Sequence, residues 1–321
     1  MQLGSIERKV QLTGKSTFTV SLPKDWASDI GLKQGDIILI TRLPDGSLRL
    51  FPKKEPIEIM KSESVQTLII EKGEEGAVER LMIAYYAAGY NFVRVLQYPV
   101  MSDILRNMIR KAVTRLAGFE IIEETSSEIK VQNILDPKTI TIYRTIERIE
   151  ILTRAMLEDF KKVASKYDKT LLKGIIERDN EVDKFFFLLL RQTTLSIRYP
   201  MLSRDMGLES PVLALPLRTY GRVLEELADT LVSLARYHYE NPIPIKRDIT
   251  VLARAFKNAL KSFRGNLKAQ KLVSQIYQQY FSKPRVNYET YNILIGRFLT
   301  LCLKAAEAGI EKEALRSIIE S

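Results

Sequence analysis

The sequence predicts a multidomain chain: a small all-β unit, a small α/β layer, and an all-α helix bundle. Three observations carry this reading. Residues 1–55 hold short β-type runs punctuated by glycine turns. Strand-like and helix-like segments then alternate as far as residue 137. After Asp136-Pro137 the pattern is helical to the end, with breaks at 167–168, 199–216, 241–244 and 283–284. The 321 residues accordingly divide into 1–55, 56–137 and 138–321, in keeping with domains of roughly 100 to 200 residues or smaller.

In the first segment, β runs cover Ile6 to Leu12, Thr17 to Leu22, Asp36 to Leu43 and Ser47 to Phe51, with turns at Thr13-Gly14-Lys15-Ser16 and Pro44-Asp45-Gly46-Ser47. Pro23 suits the first turn of a short helix that Gly31 stops. About fifty residues bury little surface alone, so the unit needs a partner. A connector, Lys53-Lys54-Glu55, is flanked by Pro52 and Pro56. The second segment reads as strand 64–71, helix 74–88, strand 91–97, helix 102–117 and strands 119–123 and 128–134. Gly73-Glu74-Glu75-Gly76 precedes a helix but lacks the remaining features of a phosphate-cradling loop. The third segment reads as five long helices and a short sixth from Glu311.

Composition narrows the function classes. With hydrophobic residues at 45% and charged residues at 27%, the chain can build real cores. Its longest apolar run, Phe185 to Leu190, falls far short of the roughly 18 residues a spanning helix needs, and no apolar signal segment opens the chain. The expectation is a cytoplasmic protein without membrane insertion. A single cysteine, Cys302, rules out an internal disulfide and paired-cysteine zinc motifs, and one histidine, His238, leaves little for histidine catalysis. Any metal site must use carboxylates. There is no activated serine or cysteine constellation, so the sequence points away from an enzyme, a metal-dependent hydrolase included. The net charge of +10 favours a polyanionic partner. It is uneven: residues 1–55 hold nine bases and six acids, 56–137 nine and twelve, and 138–321 thirty-one and twenty-one.

The order of strand, glycine turn, strand, Leu22-Pro23 helix start and Gly31-Leu32-Lys33-Gln34-Gly35-Asp36 strongly resembles the SpoVT/AbrB family of DNA-binding domains over nearly all of residues 4–52. The resemblance implies a barrel closed by swapping hairpins between two chains. It therefore implies an obligate homodimer whose paired basic loops contact double-stranded DNA. Arg8, Lys9, Lys15, Ser16 and Lys24 are the candidate contacts, since cations and a hydroxyl on such loops reach phosphates. Strand alternation sends Arg8 and Lys9 to opposite faces. Trp26 reads as an aromatic anchor on the short helix.

Asp179 and Asp183 are four residues apart, as are Glu225 and Asp229 on the next long helix, so each pair lies on one helix face. Phe187 and Leu190 continue the first stripe and Val232 the second, placing the acids at the edge of a core. Two such helices side by side could converge four oxygen donors on a hard or borderline cation. The alternative is that the acids are solvated, or neutralised by Arg178, Lys184, Arg218 and Arg222. These residues also resemble the PhoU family of phosphate-uptake regulators, over roughly residues 138–320. That resemblance implies a bound divalent or ferric ion (iron, zinc, manganese or magnesium) at such positions, and a phosphate-transport or signalling protein as partner. The family usually repeats the unit, and no second pair of this kind occurs later in the chain.

Arg254, Lys257, Lys261, Arg264, Lys268 and Lys271 recur every three or four residues, flanked by an apolar stripe from Leu252 to Leu267. As one face of a helix they form a basic stripe suited to DNA phosphates or an acidic partner, or simply a solvated face. Taken together, the chain reads as a dimeric DNA-binding transcriptional regulator of phosphate uptake or signalling. Two alternatives keep the same folds: a transporter inhibitor without DNA binding, and a broad chromatin-coating or antitoxin-like DNA binder.

Overall fold

The computed structural model describes residues 5–42, 46–53, 65–242, 246–282 and 289–320. Tertiary contacts divide the chain into two compact units, Met1–Ser62 and Glu63–Ser321.

The first unit contains two antiparallel hairpins. Strands β1 (Gln11–Thr13) and β2 (Thr17–Thr19) pair with Gln11 opposite Thr19, around Gly14 at φ 69°. Strands β3 (Ile38–Arg42) and β4 (Leu48–Pro52) pair with Ile38 opposite Pro52. Between them α1 (Lys24–Asp29) is capped by Pro23, which precedes the helix rather than occupying its first turn. Ala27 N–H donates to the Pro23 carbonyl, and the chain leaves the helix through Gly31 at φ 62°. The turn expected at Pro44-Asp45 lies outside the described residues, as do Lys54, Glu55 and Pro56 of the connector. The strands of the first hairpin are shorter than expected, and β1 begins at Gln11. Arg8 and Lys9 therefore precede the strand, and strand alternation does not govern where they point.

The second unit joins the α/β layer and the helices. Strands β5 (Val65–Ile69), β6 (Phe92–Leu96), β7 (Phe119–Glu124) and β8 (Glu128–Asn133) form one sheet in the order β5-β6-β8-β7, parallel at β5/β6 and antiparallel elsewhere. Helices α2 (Val78–Ala87) and α3 (Asp103–Thr114) share its core, in which Leu68, Val93, Val95, Ile129 and Val131 meet Met82, Tyr86, Leu105 and Ile109. The candidate glycine loop is closed on itself: Gly73 N–H donates to the Glu75 carboxylate, which also accepts from Gln97.

The bundle runs α4 (Ile142–Ser165), α5 (Lys169–Arg198), the short α6 (Pro200–Asp205), α7 (Ala214–Glu240), α8 (Lys246–Phe263), α9 (Leu267–Phe281) and α10 (Glu289–Glu320). Two expectations are corrected here. The segment from Glu311 is not a separate helix but the continuation of α10. The long helix expected to carry the whole basic stripe is two helices, broken at Gly265 (φ 86°). Gly265 N–H donates to the Ser262 carbonyl and Asn266 N–H to the Lys261 carbonyl, a glycine helix stop that packing reinforces. Gly309 of α10 lies so close that a Cβ there would stand 2.6 Å from Phe263 Cα. The buried Lys312 donates to the Phe263 carbonyl at 2.6 Å, satisfying the end of α8. Asn266 then caps α9 through Ala269 N–H. In consequence Lys268 and Lys271 sit on α9, apart from Arg254, Lys257 and Lys261 on α8.

Helix α5 ties the layer to the bundle. Its Arg191, 3% exposed, donates to the carbonyls of Tyr86 and Tyr90 and to Asn91 Oδ1 at 3.0, 2.7 and 2.6 Å. Burial lowers its pKa to about 10, so it stays charged at neutral pH. On the other side, Gly221 lets α7 approach α5 closely: a Cβ at that position would fall 2.1 Å from Leu189 Cδ2. Leu189 is fully buried and has no room to retreat. Gly221→Ala is expected to destabilise the protein by about 1–3 kcal/mol, seen as a lowered thermal midpoint with unchanged helix content by circular dichroism.

Candidate functional site

The α5/α7 contact sets the position of the four acids. Asp179 and Asp183 project from α5, and Glu225 and Asp229 from α7, all part-buried. Their carboxylates feel one another. Burial, and then the neighbouring Asp183 and Asp229, push Asp179 up to about 7. Burial and Asp229 push Glu225 up to about 7 against the pull of Arg222. Asp183 and Asp229 are also raised, chiefly by burial. Asp179 Oδ1 is buried with no hydrogen-bond partner.

Of the basic residues expected to neutralise the acids, Arg222 makes an ion pair with one of them, whereas Arg178 and Arg218 bond elsewhere. Arg178 pairs with Asp159 at 2.8 Å, and Arg218 donates to the Leu190 carbonyl and the hydroxyls of Thr193 and Thr194. Arg222 lies over the Phe186 ring at 4.3 Å and reaches Glu225 at 3.4 Å. The main partner is one that sequence spacing does not reveal. Arg115, immediately after α3, pairs with Asp183 and, through its other amino group, with Glu79 of α2. With Asp183 held in this way, no group of three or more His, Cys, Asp or Glu side chains among the described residues is arranged to hold a metal ion. The oxygen donors suit a hard cation, but their arrangement in this fold does not.

The remaining candidates are spread over both units. Arg8, Lys9, Lys15, Ser16 and Lys24 are all exposed in the first unit. In the second, Arg254, Lys257, Lys261, Arg264, Lys268 and Lys271 are exposed, and Arg264 is tied to the buried Glu150, which also accepts from Tyr220 Oη at 2.8 Å. A cavity of about 300 Å³ opens beside this pair, lined by Thr141, Arg144, Glu147, Glu150, Arg264 and Lys312 among others. Its charges already satisfy one another: Arg144 pairs with Glu147, Arg264 with Glu150, and Lys312 with Glu313.

Residues 11–58 match the family model for antidote-toxin recognition MazE, a bacterial antitoxin, and residues 146–237 match the PhoU domain. The chain joins a MazE/AbrB-type segment to a PhoU segment. No curated protein and no solved structure matches it. The PhoU match covers both acid pairs, and the MazE match covers Lys15, Ser16 and Lys24 but begins after Arg8 and Lys9. Among the described residues no helix is long and apolar enough to cross a membrane.

The raised carboxylates give a pH dependence with a definite sign. A carboxyl group whose pKa is higher in the folded than in the unfolded chain adds stability at low pH, and that stability is lost as pH rises through the folded value, here about 7. In chelated buffer, Asp179→Asn is expected to flatten the rise in thermal midpoint seen on going from about pH 8 to about pH 5.5. At about pH 8 the variant is expected to melt about 2–4 °C above the parent, corresponding to ~1 kcal/mol after allowance for solvent screening of a part-exposed group. Identical pH slopes for parent and variant would place the repulsion elsewhere.

Proposed function

We propose that this protein is a dimeric DNA-binding regulator of phosphate-related functions, in which the first unit is the DNA-binding head and the PhoU-type body receives the signal or partner. One observation carries the reading: the head has almost no core of its own. Among its described residues only Pro52 is buried, while Phe18 is 76% exposed, and Leu12, Val10, Ile40 and Leu48 are also open to water. Isolated two-stranded hairpins are marginal in water, and an apolar surface of this extent on a small unit calls for a cover. A second copy supplies that cover, since the same two hairpins present the same apolar residues, and the MazE/AbrB-type match supports pairing of this kind. Pairing also doubles the cationic set Arg8, Lys9, Lys15 and Lys24, with Ser16, and gives DNA phosphates a two-fold surface. The reading assigns no catalytic step to the chain. The PhoU-type match supports the phosphate-related role.

Phe18→Asp or Ile40→Asp is expected to convert a dimer into a monomer by light scattering and to abolish retardation of promoter DNA. Full-length parent protein that is monomeric at micromolar concentration would overturn the reading. Chromatin occupancy is expected to concentrate at few promoters and to change on phosphate limitation.

The body adds a second cationic surface. From Lys246 to Phe281 the chain holds eight basic residues and one acid, Asp248. Of these, Arg254, Lys257 and Lys261 on α8 and Lys268 and Lys271 on α9 are exposed and make no ion pair among the described residues. This surface supports either DNA phosphate binding or an acidic partner. If it touches DNA, Lys257→Glu with Lys261→Glu is expected to lower the salt dependence of DNA binding by about one log–log slope unit for each phosphate no longer neutralised. An unchanged slope would assign the surface to an acidic protein partner.

A further inference from the structure

The cavity beside Glu150 lies where three helices meet: the first turn of α4, the end of α8 and the C-terminal part of α10. Its volume of about 300 Å³ falls at the lower end of the range for small-molecule sites, roughly 300–1,000 Å³. Each helix brings one cation to the lining: Arg144 on α4, Arg264 just after α8 and Lys312 on α10. Their ion pairs balance the charges but leave donors over. Arg144 engages one amino group on Glu147, and Arg264 engages its two on Glu150 and the Leu260 carbonyl. Lys312 meets the Phe263 carbonyl and Glu313. A guanidinium carries five N–H donors and an ammonium three, so each cation keeps at least one. Lys312 is the buried member of the set, with its side chain 6% exposed, and a charged donor left over at that depth calls for an acceptor. Tyr143, on the same wall, has its hydroxyl buried beside Arg316 with no hydrogen-bond partner among the described residues.

Donors that converge from three helices suit a tetrahedral oxyanion better than a planar one. A carboxylate presents two oxygens in one plane, whereas a phosphoryl group presents three strong acceptors in different directions. We propose that this cavity is a binding site for a phosphoryl group, carried by the free phosphate ion or by a small phosphate monoester, with Arg144, Arg264, Lys312 and the Tyr143 hydroxyl as donors. The charge of Glu150 is already held by Arg264 and by the Tyr220 hydroxyl. Glu147 opposes the ligand weakly, because its pair with Arg144 spans one helical turn where the two side chains are 47% and 74% exposed and water screens both. The first turn of α4 adds the positive end of a helix dipole. All four donors lie outside residues 146–237, so this site is not one that the PhoU match supplies. The inference does not rest on pairing or DNA binding by the first unit.

The test titrates full-length protein with inorganic phosphate, and separately with adenosine monophosphate, by calorimetry and equilibrium dialysis. Chloride at about 0.15 M screens diffuse attraction between exposed charges. Saturable one-to-one binding is expected. Arg144→Gln is expected to weaken it at least about tenfold, as for the loss of one charge-assisted hydrogen bond. Tyr143→Phe removes a hydroxyl that has no partner, so it leaves the fold intact, and is expected to weaken binding about fivefold. Glu147→Gln is expected to strengthen it. Tighter binding of adenosine monophosphate identifies the ligand as a monoester, and tighter binding of phosphate identifies it as the free ion. No saturable binding of either by the parent overturns the proposal, as does unchanged affinity in both Arg144→Gln and Tyr143→Phe, or succinate bound as tightly as phosphate. Lys257→Gln, which alters a cation of α8 outside the lining, is expected to change nothing. A loss there equal to that in Arg144→Gln would mean diffuse charge alone and overturns the proposal equally.

Discussion

Charge carried into an apolar contact is the constraint on which the larger unit depends. Helix α5 is packed by the α/β layer on one side and by α4 and α7 on others, and it takes Arg191 and Asp183 into those contacts. A buried ion is tolerated only where its hydrogen bonds and opposite charge are supplied. Arg191 obtains them from two carbonyls and an amide oxygen at the end of α2, and Asp183 from Arg115 just after α3. Both partners belong to the α/β layer. That layer and the helices behave as one compact unit because neither can leave without stranding a charge.

The smaller unit meets the opposite problem. Its hairpins are regular, Gly14 turns the first of them at positive φ, and Asp36 accepts from Lys33 N–H, yet among its described residues only Pro52 is buried. Apolar area removed from water is the main source of folding free energy. A unit of this size that leaves Phe18 and Leu12 in solvent calls for a cover, which is why pairing and DNA binding belong to one proposal.

Much of the architecture is legible in the residues. Glycine turns and β-runs mark the two hairpins, alternation marks the layer, and four-residue acid spacing marks the stripe on α5 and α7, because each of these is a local periodicity. The end of α8 is marked locally as well, since Gly265 takes the left-handed conformation that closes a helix and Asn266 caps the next one. The regular spacing of the basic residues runs across that signal and reads as one helix, and what the sequence does not reveal is the packing of Gly309 and Lys312 against this end from some forty-five residues later.

By itself the sequence determined which side chains share a helix face or a strand edge, and therefore that Asp179 pairs with Asp183 and Glu225 with Asp229 along their helices. Only the tertiary structure decided what those faces meet. Gly221 brings α7 against Leu189 and so sets the two acid pairs near each other. Arg115 arrives from sixty-eight residues away in sequence to claim Asp183. Backbone periodicity is a property of neighbours along the chain, whereas the compensation of a buried charge depends on whichever group the fold brings within a few ångströms, and no spacing rule records that distance.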